Sequence, residues 1–185
     1  MYNVQVRRRI TLEVAHPFAL FAGVLVAVVA VDQGVKALVR AAMTPGESIA
    51  LVDGILHLTY VRNTGAAFGL MPGQRVLFVT TGLVVALGSV TYMLWVRPRV
   101  GWLVTSMAFV ASGALGNLVD RTVDGRVTDF IDVFGQFFPV FNIADSAIVV
   151  GVAMLVIWVL FAPEPAEPPA GETDSPESSE ESVGP

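Results

Sequence analysis

Three clusters of polar residues interrupt an otherwise apolar chain, and their side chains could do chemistry. The clusters are Asp32-Gln33-x-x-Lys36, Asn117-x-x-Asp120-Arg121 and the stretch from Asp129 to Asp145. The 185 residues are 54% hydrophobic and only 15% charged, against about 25% charged in ordinary soluble domains. Because ionisable side chains are costly in a strongly apolar environment, these clusters are candidate functional sites.

Asp129 and Asp145 are the residues on which we expect the chemistry to depend. When two carboxylates share a site they cannot both ionise freely, and the pKa of one is strongly raised. One can then activate water as a base while the other polarises a scissile carbonyl. Asp145 begins an apolar stretch, so a simple helix cap would also explain it. Asp124 and Asp132 are nearby carboxylates that spacing alone does not exclude.

The remaining clustered residues suit bracing and ligand contact. Asp32 and Lys36 stand at i, i+4, the spacing of an ion pair on one helix face. Asn117 and Asp120 stand at i, i+3 and share a face in the same way. We expect Asp120 to brace Arg121 or a helix end. Arg121 offers a planar fork of donors, so it or Asn117 is the expected ligand contact.

Other hydrolytic chemistries fit this sequence poorly. The absence of cysteine excludes thiolate nucleophiles, disulfides, Cys-based zinc sites and iron–sulfur clusters. His16 and His57 are the only histidines. His16 lies just before the first apolar segment, near the end that is predicted below to face the cytoplasm, so a Ser–His–Asp site would need His57. The sequence contains no HExxH motif and no adequate set of metal ligands, so no metal or cofactor is expected.

Four long apolar segments must position these residues. They cover about 17–39, 76–96, 100–119 and 146–162. Since roughly 20 apolar residues cross about 30 Å of hydrocarbon, the sequence predicts a membrane α-helical fold with four transmembrane helices. The first segment follows Arg7–Arg9, as a signal peptide would, but it continues into Asp32 and Lys36 rather than a cleavage site. We therefore interpret it as a retained helix.

Basic residues and local patterning suggest the orientation. Arg7–Arg9 precede the first segment, and Arg97 and Arg99 lie between the second and third. The positive-inside rule then predicts a multi-pass protein with both termini in the cytoplasm and the polar clusters at the extracytoplasmic face. A partly alternating run within 49–70 predicts short strands in a small sheet at the membrane surface.

The acidic charge belongs to the end of the chain. Residues 163–185 hold seven of the sixteen acidic residues and none of the eleven basic ones, so residues 1–162 carry +2 although the whole chain carries −5. This Pro/Glu/Ser-rich segment is predicted to be a disordered tail following a membrane-embedded domain at 1–162. The charge balance argues against a nucleic-acid partner.

Five motifs, in order along the chain, resemble those of the lipoprotein signal peptidases (signal peptidase II). They are Asp32-Gln33-x-x-Lys36, Asn63-x-Gly65-Ala66-Ala67-Phe68, Gly116-Asn117-x-x-Asp120-Arg121, Val127-x-Asp129-Phe130 and Phe141-Asn142-x-Ala144-Asp145-Ser146. Each motif alone is weak, whereas five in order are specific. One departure is Ser112 before Gly113, where the family often has two glycines.

The resemblance implies an aspartyl endopeptidase of the bacterial cytoplasmic membrane. Such enzymes remove the signal peptide of a prolipoprotein, cleaving before the diacylglyceryl-modified cysteine of its lipobox. Asp129 and Asp145 match the catalytic dyad of the family. The residues that match its substrate-binding or supporting positions are Asn63, Gly65, Asn117, Arg121 and Asn142. Those that match mainly structural polar positions are Asp32, Lys36 and Asp120.

The resemblance also implies a fold and partners. A small extracytoplasmic β-cradle is expected at about 44–71, and a flap-like loop over the cleft at about 122–141. Membrane lipid and a globomycin-type inhibitor are the expected further ligands, and the protein is expected to be a monomer without cofactor. Two other classes stay open on the residues alone, a small transporter or channel and a structural membrane subunit. A transport path needs polar residues along its depth, whereas this chain concentrates them at one end.

Overall fold

The computed structural model describes residues 13–65, 73–135 and 137–162. In this part of the chain the elements are α1 (Pro17–Ala42), β1 (Ser48–Val52), β2 (Leu56–Asn63), α2 (Arg75–Val96), α3 (Gly101–Val123), β3 (Val127–Val133) and α4 (Ile143–Phe161). The predicted acidic tail at 163–185 and the basic residues Arg7–Arg9 lie outside the described residues, as do Ala66, Ala67 and Phe68.

All four helices are long and apolar enough to cross a membrane, which confirms the predicted four-helix fold. Three of them extend beyond the apolar segments seen in the sequence. α1 continues to Ala42, α3 continues to Val123, and α4 begins at Ile143 rather than at 146. Hydropathy marks the part of a helix that crosses hydrocarbon, whereas the helix itself continues until its end groups are capped. The first two polar clusters are therefore helical, and Asp145 lies in the first turn of α4, whereas Asp129 lies on a strand.

α3 is the centre of the bundle. It packs against α1, α2 and α4, and 56% of its most apolar stretch is buried, against 17% or less for each other helix. Small residues allow the close approach of α4. A Cβ atom on Gly151 of α4 would lie 2.7 Å from the Ser106 carbonyl oxygen, and one on Gly113 would overlap the carbonyl of Ala144. Such small-residue contacts are the usual way in which membrane helices pack tightly.

A three-stranded antiparallel sheet lies at one end of the bundle, in the order β1-β2-β3. Leu58 and Tyr60 of β2 pack with Phe130 of β3 against Val39 of α1 and Met43, the residue that caps the end of this helix. This apolar contact fixes the sheet to the C-terminal end of α1. A bulge interrupts the pairing of β2 with β3 between Leu58 and Val61.

The range 122–141 is not simply the flap-like loop that we expected. It contains β3, which pairs along β2 from Leu56↔Val133 to Asn63↔Val127. The strand is rich in β-branched residues, which favour β-structure. It pairs with the edge of β2 that faces away from β1. The expected sheet at 44–71 therefore exists, but its third strand comes from beyond that range. Residues 122 and 123 are the last two of α3, and residues 124–126, 134–135 and 137–141 form the connections on either side of β3.

Candidate active site

The N-terminus of α4 holds Asp145 in one position. Asn142 caps the helix, and its Oδ1 atom accepts a hydrogen bond of 2.9 Å from the Asp145 backbone N–H. In return Oδ2 of Asp145 accepts from the Asn142 N–H at 3.2 Å. This reciprocal capping box satisfies two backbone donors that a helix start leaves free. Asp145 therefore does cap the helix, but only with Oδ2, and Oδ1 points to other partners.

Asp129 lies on β3 and is 2% exposed. Its Oδ2 atom accepts from Asn63 Nδ2 at 2.9 Å, and its Oδ1 atom accepts from Asn142 Nδ2 at 2.6 Å. Burial, followed by the charge of Asp145, raises the pKa of Asp129 to about 6, although the two amide donors and the charge of Lys36 act in the opposite direction. This carboxyl group can therefore hold its proton up to about pH 6.

Two asparagine amides join the carboxylates. Asn142 Nδ2 donates to Asp129 Oδ1 and also to Asn117 Oδ1, the latter at 3.1 Å. Asn117 Nδ2 donates in turn to Asp145 Oδ1 at 2.7 Å. β3, α3 and α4 thus contribute to one hydrogen-bonded network, and that network contains both aspartates.

A buried ion-pair cluster contacts this network through Asn117. Nζ of Lys36 lies 2.9 Å from Asp32 Oδ2, 3.0 Å from Asp120 Oδ2 and 3.2 Å from Asn117 Oδ1. Asp32 Oδ1 accepts from the Ala144 N–H of α4 at 2.9 Å. The i, i+4 pair predicted from the sequence is present, and it joins α1 to both α3 and α4 rather than bracing one helix alone.

We expected Asp120 to brace either Arg121 or a helix end. The first of these expectations is wrong. Asp120 lies 3.8 Å from Arg40, accepts from the Thr128 N–H at 3.2 Å and contacts Gln33 Nε2 at 3.1 Å, in addition to Lys36. Successive residues of a helix point about 100° apart, so Asp120 faces α1 and β3 while its neighbour faces elsewhere.

Arg121 faces a cavity of about 630 Å³. Its Nη2 atom donates to the carbonyl of Gly65 at 3.1 Å, and its guanidinium carbon lies 4.8 Å from the centre of the Phe78 ring. The polar end of the cavity is lined by Asn63, Asn117, Arg121, Asp129 and Asp145. Apolar side chains such as Phe78 and Val149 line the remainder. The cavity can therefore accept a largely apolar ligand with one polar segment.

The other carboxylates and both histidines lie elsewhere. Asp132 is buried in the sheet, where its Oδ2 atom accepts from the Thr59 hydroxyl at 2.7 Å. Asp124 is the exposed C-cap of α3. His57 pairs with Asp132 across the sheet, and His16 is the N-cap residue of α1. None of these four lines the cavity. In the described part of the chain, no three acidic or histidine side chains are grouped as metal ligands.

A family model described as "Signal peptidase (SPase) II" matches residues 24–161 of this chain. The chain belongs to the signal peptidase II family. The lipoprotein signal peptidase of Pelotomaculum thermopropionicum is 46% identical over 142 residues, which are 76% of this chain and 91% of the relative. That of Syntrophomonas wolfei is 48% identical over 140 residues, 76% of this chain and 92% of the relative.

Solved structures show the same architecture as this chain. A structure described as a bacterial membrane enzyme is 32% identical and superposes with a TM-score of 0.73, covering 77% of this chain and 88% of the other. A second, described in the same words, gives a TM-score of 0.71 at 32% identity. Together with the four apolar helices, these matches identify a multi-pass membrane protease of the signal peptidase II family.

The signal peptidase II motifs in the sequence come together in space. Asn63, Gly65, Asn117, Arg121, Asp129 and Asp145 line the cavity, and Asn142 joins them as the helix cap. Asp32, Lys36 and Asp120 lie behind the cavity as a buried cluster. Sequence reasoning missed Phe78, because an aromatic residue in an apolar helix gives no signal of its own.

Proposed function

We propose that this protein is an aspartyl endopeptidase that removes signal peptides from diacylglyceryl-modified prolipoproteins. Cleavage occurs before the lipidated cysteine of the lipobox. The observation that carries the proposal is the pair Asp129 and Asp145, joined through Asn142 and Asn117 at the polar end of an apolar cavity. Membership of the signal peptidase II family supports the substrate class, since the matched relatives are named lipoprotein signal peptidases.

The two carboxylates carry out the hydrolysis by sharing one proton. The ionised member removes a proton from water, whose oxygen attacks the scissile carbonyl carbon, and the protonated member donates to the carbonyl oxygen. The tetrahedral intermediate then collapses as the C–N bond breaks, and a proton passes to the departing amine. The raised pKa of Asp129 supports this scheme, because a carboxyl group with a pKa of about 6 retains a proton where an exposed one would not.

The polar residues around the pair bind the peptide backbone, and the apolar wall accepts the lipid and the signal helix. Arg121 uses one donor on Gly65 and stacks on Phe78, which leaves further N–H groups of its guanidinium for substrate carbonyls. The cavity is lined by Phe78 of α2 and Val149 of α4, and both helices are long and apolar enough to cross a membrane, so a substrate helix can approach the cavity laterally from lipid. A membrane substrate therefore need not leave the bilayer.

We also propose the location and organisation that the sequence predicts. The enzyme lies in the bacterial cytoplasmic membrane as a monomer, with both termini cytoplasmic. Arg97 and Arg99 in the connection between α2 and α3 support this orientation. The polar ends of α1, α3 and α4 then face the extracytoplasmic side. Residues 1–162 form the peptidase domain, and 163–185 form a solvated tail. Globomycin-type inhibitors bind in the cavity.

The decisive test uses purified protein and a lipidated precursor, with cleavage followed by mass spectrometry. We expect Asp129→Asn and Asp145→Asn each to lower the cleavage rate by on the order of 10³-fold, because each removes one half of the acid–base pair. Asp53→Asn, in the exposed turn between β1 and β2, is the matched control and retains the wild-type rate. Full activity of either site variant would refute the proposal.

A further inference from the structure

Lys36 makes one contact more than an ion-pair brace requires. Its side chain is fully buried, and Nζ lies 2.9 Å from Asp32 and 3.0 Å from Asp120. These two carboxylates already offset its charge and join α1 to α3. The third contact, 3.2 Å to Oδ1 of Asn117, leads towards the aspartate pair. The contact with Asn117 therefore needs an explanation other than helix packing.

The chemistry of an ammonium group sets the direction of this contact. An ammonium group donates hydrogen bonds and cannot accept them, whereas an amide has one accepting and one donating end. The Asn117 oxygen must therefore face Nζ of Lys36, and it also accepts from Asn142 Nδ2 at 3.1 Å. With its oxygen held by two donors, Asn117 turns its NH₂ group to Asp145 Oδ1, 2.7 Å away.

We propose that Lys36 is a positioning residue of the two-aspartate site, which fixes the orientation of the Asn117 amide so that Asp145 always receives an N–H donor. Without the ammonium group, the amide can rotate by half a turn and bring its oxygen against the carboxylate of Asp145. That arrangement is tolerated only when the carboxyl group carries the proton. Lys36 therefore sets the pH range in which the pair holds a single proton. This inference rests on the proposed function.

The charges around the pair are few, so the sign of the effect can be worked out. α1 contributes Asp32, Lys36 and, beyond Asp120, Arg40, and α3 contributes Asp120 and Arg121. β2 contributes the uncharged Asn63, and α2 lines the cavity with the uncharged Phe78. The charge of Lys36 lowers the pKa of Asp129. Loss of that charge therefore moves the pH–rate profile to higher pH.

The test compares Lys36→Met with Asp120→Asn. Both remove one partner of the same buried ion pair, so both lower the melting temperature of the detergent-solubilised protein. In Lys36→Met we expect kcat to fall on the order of tenfold to hundredfold with KM nearly unchanged, as for a misplaced catalytic group. We also expect both limbs of the pH profile to move up by at least about half a pH unit. Asp120→Asn removes an anion, so its profile does not move up.

A double-mutant cycle checks that Lys36 acts through Asn117. If it does, Lys36→Met lowers kcat little further once Asn117→Ala is present, because the amide to be oriented is already gone. Additive losses in the cycle, or an unmoved pH profile in Lys36→Met, would overturn the inference. If Lys36→Met is not recovered in folded form, Lys36→Gln, which keeps a donor but no charge, carries the same expectation for the pH profile.

The outcomes also separate this inference from the proposed function. A wild-type protein that does not cleave a lipidated precursor refutes the proposed function. Cleavage that is lost in Asp129→Asn but unchanged in Lys36→Met supports the proposed function and refutes the positioning role alone.

Discussion

The pH dependence of cleavage follows directly from the surroundings of Asp129. Burial and the nearby charge of Asp145 raise its pKa from 3.8 to about 6. In the proposed mechanism the active pair holds one proton, so deprotonation of the second carboxyl group ends activity. We therefore expect kcat/KM, which reports the ionisation of the free enzyme, to decline as the pH rises through about 6.

The magnitude of the decline follows from the titration of a single proton. Each pH unit above the pKa lowers the singly protonated fraction tenfold, so about a tenth of the pairs remain active one unit above it and about a hundredth two units above it. Below the optimum, protonation of the second member of the pair produces the acid limb. The whole profile is thus a bell whose alkaline limb is centred near pH 6.

A variant of Asn63 provides a second test, because it should move the alkaline limb to higher pH while it lowers the maximal rate. Asn63 donates to Asp129 Oδ2 at 2.9 Å, and this hydrogen bond lowers the pKa of Asp129. Asn63→Ala removes that hydrogen bond, so the alkaline limb should move to higher pH even though the maximal rate falls.

The assay measures initial rates on a lipidated precursor from pH 4.5 to 9 at constant ionic strength. Enzyme incubated at each pH and returned to pH 6 must regain its rate, which excludes irreversible inactivation as the cause of a limb. A rate that stays constant to pH 8 would refute the reasoning, as would an alkaline limb that moves to lower pH in Asn63→Ala.

Three further predictions concern packing, substrate binding and metals. Gly113→Ala places a methyl group against the Ala144 carbonyl and should lower the free energy of unfolding by about 3 kcal/mol. Gly23→Ala is the control, because its methyl group meets no atom within 4 Å and should cost nothing. Equal melting temperatures of the two variants would contradict the observed packing. Phe78→Ala removes the ring stacked on Arg121 and should raise KM by roughly tenfold with a smaller change in kcat; an unchanged KM would exclude the ring from binding. A chelator should leave the cleavage rate unchanged, and reactivation by an added metal ion after chelation would contradict a mechanism of two aspartates alone.

The sequence predicts the helices and the candidate residues better than it predicts their partners. Long uncharged segments determine the four helices, and the alternating run within 49–70 predicts strands. Spacing correctly pairs Asp32 with Lys36, because both lie on one helix. It does not show that Asp120 also reaches Lys36, since periodicity describes the faces of one element and not the neighbour that each face meets.

β3 illustrates the same limit. Its residues lie between two helices in a stretch with several turn signals, and nothing local indicates that β2 has an unpaired edge to offer. The strand forms because pairing satisfies the backbone groups of both segments. That pairing also places Asp129 opposite Val61 and close to Asn63. The position of one candidate catalytic residue thus depends on a contact between segments more than 60 residues apart in the sequence.

The network around the aspartates explains why neutral amides occupy so much of the site. Asn63, Asn117 and Asn142 supply four of the side-chain and backbone donors that the two carboxylates accept. Cations in the same places would hold both carboxylates in the ionised form, and the pair would lose its shared proton. Amides satisfy the buried oxygens without adding charge, so one proton can remain. The single buried ammonium group lies one amide away, where it orients the donors without neutralising the pair.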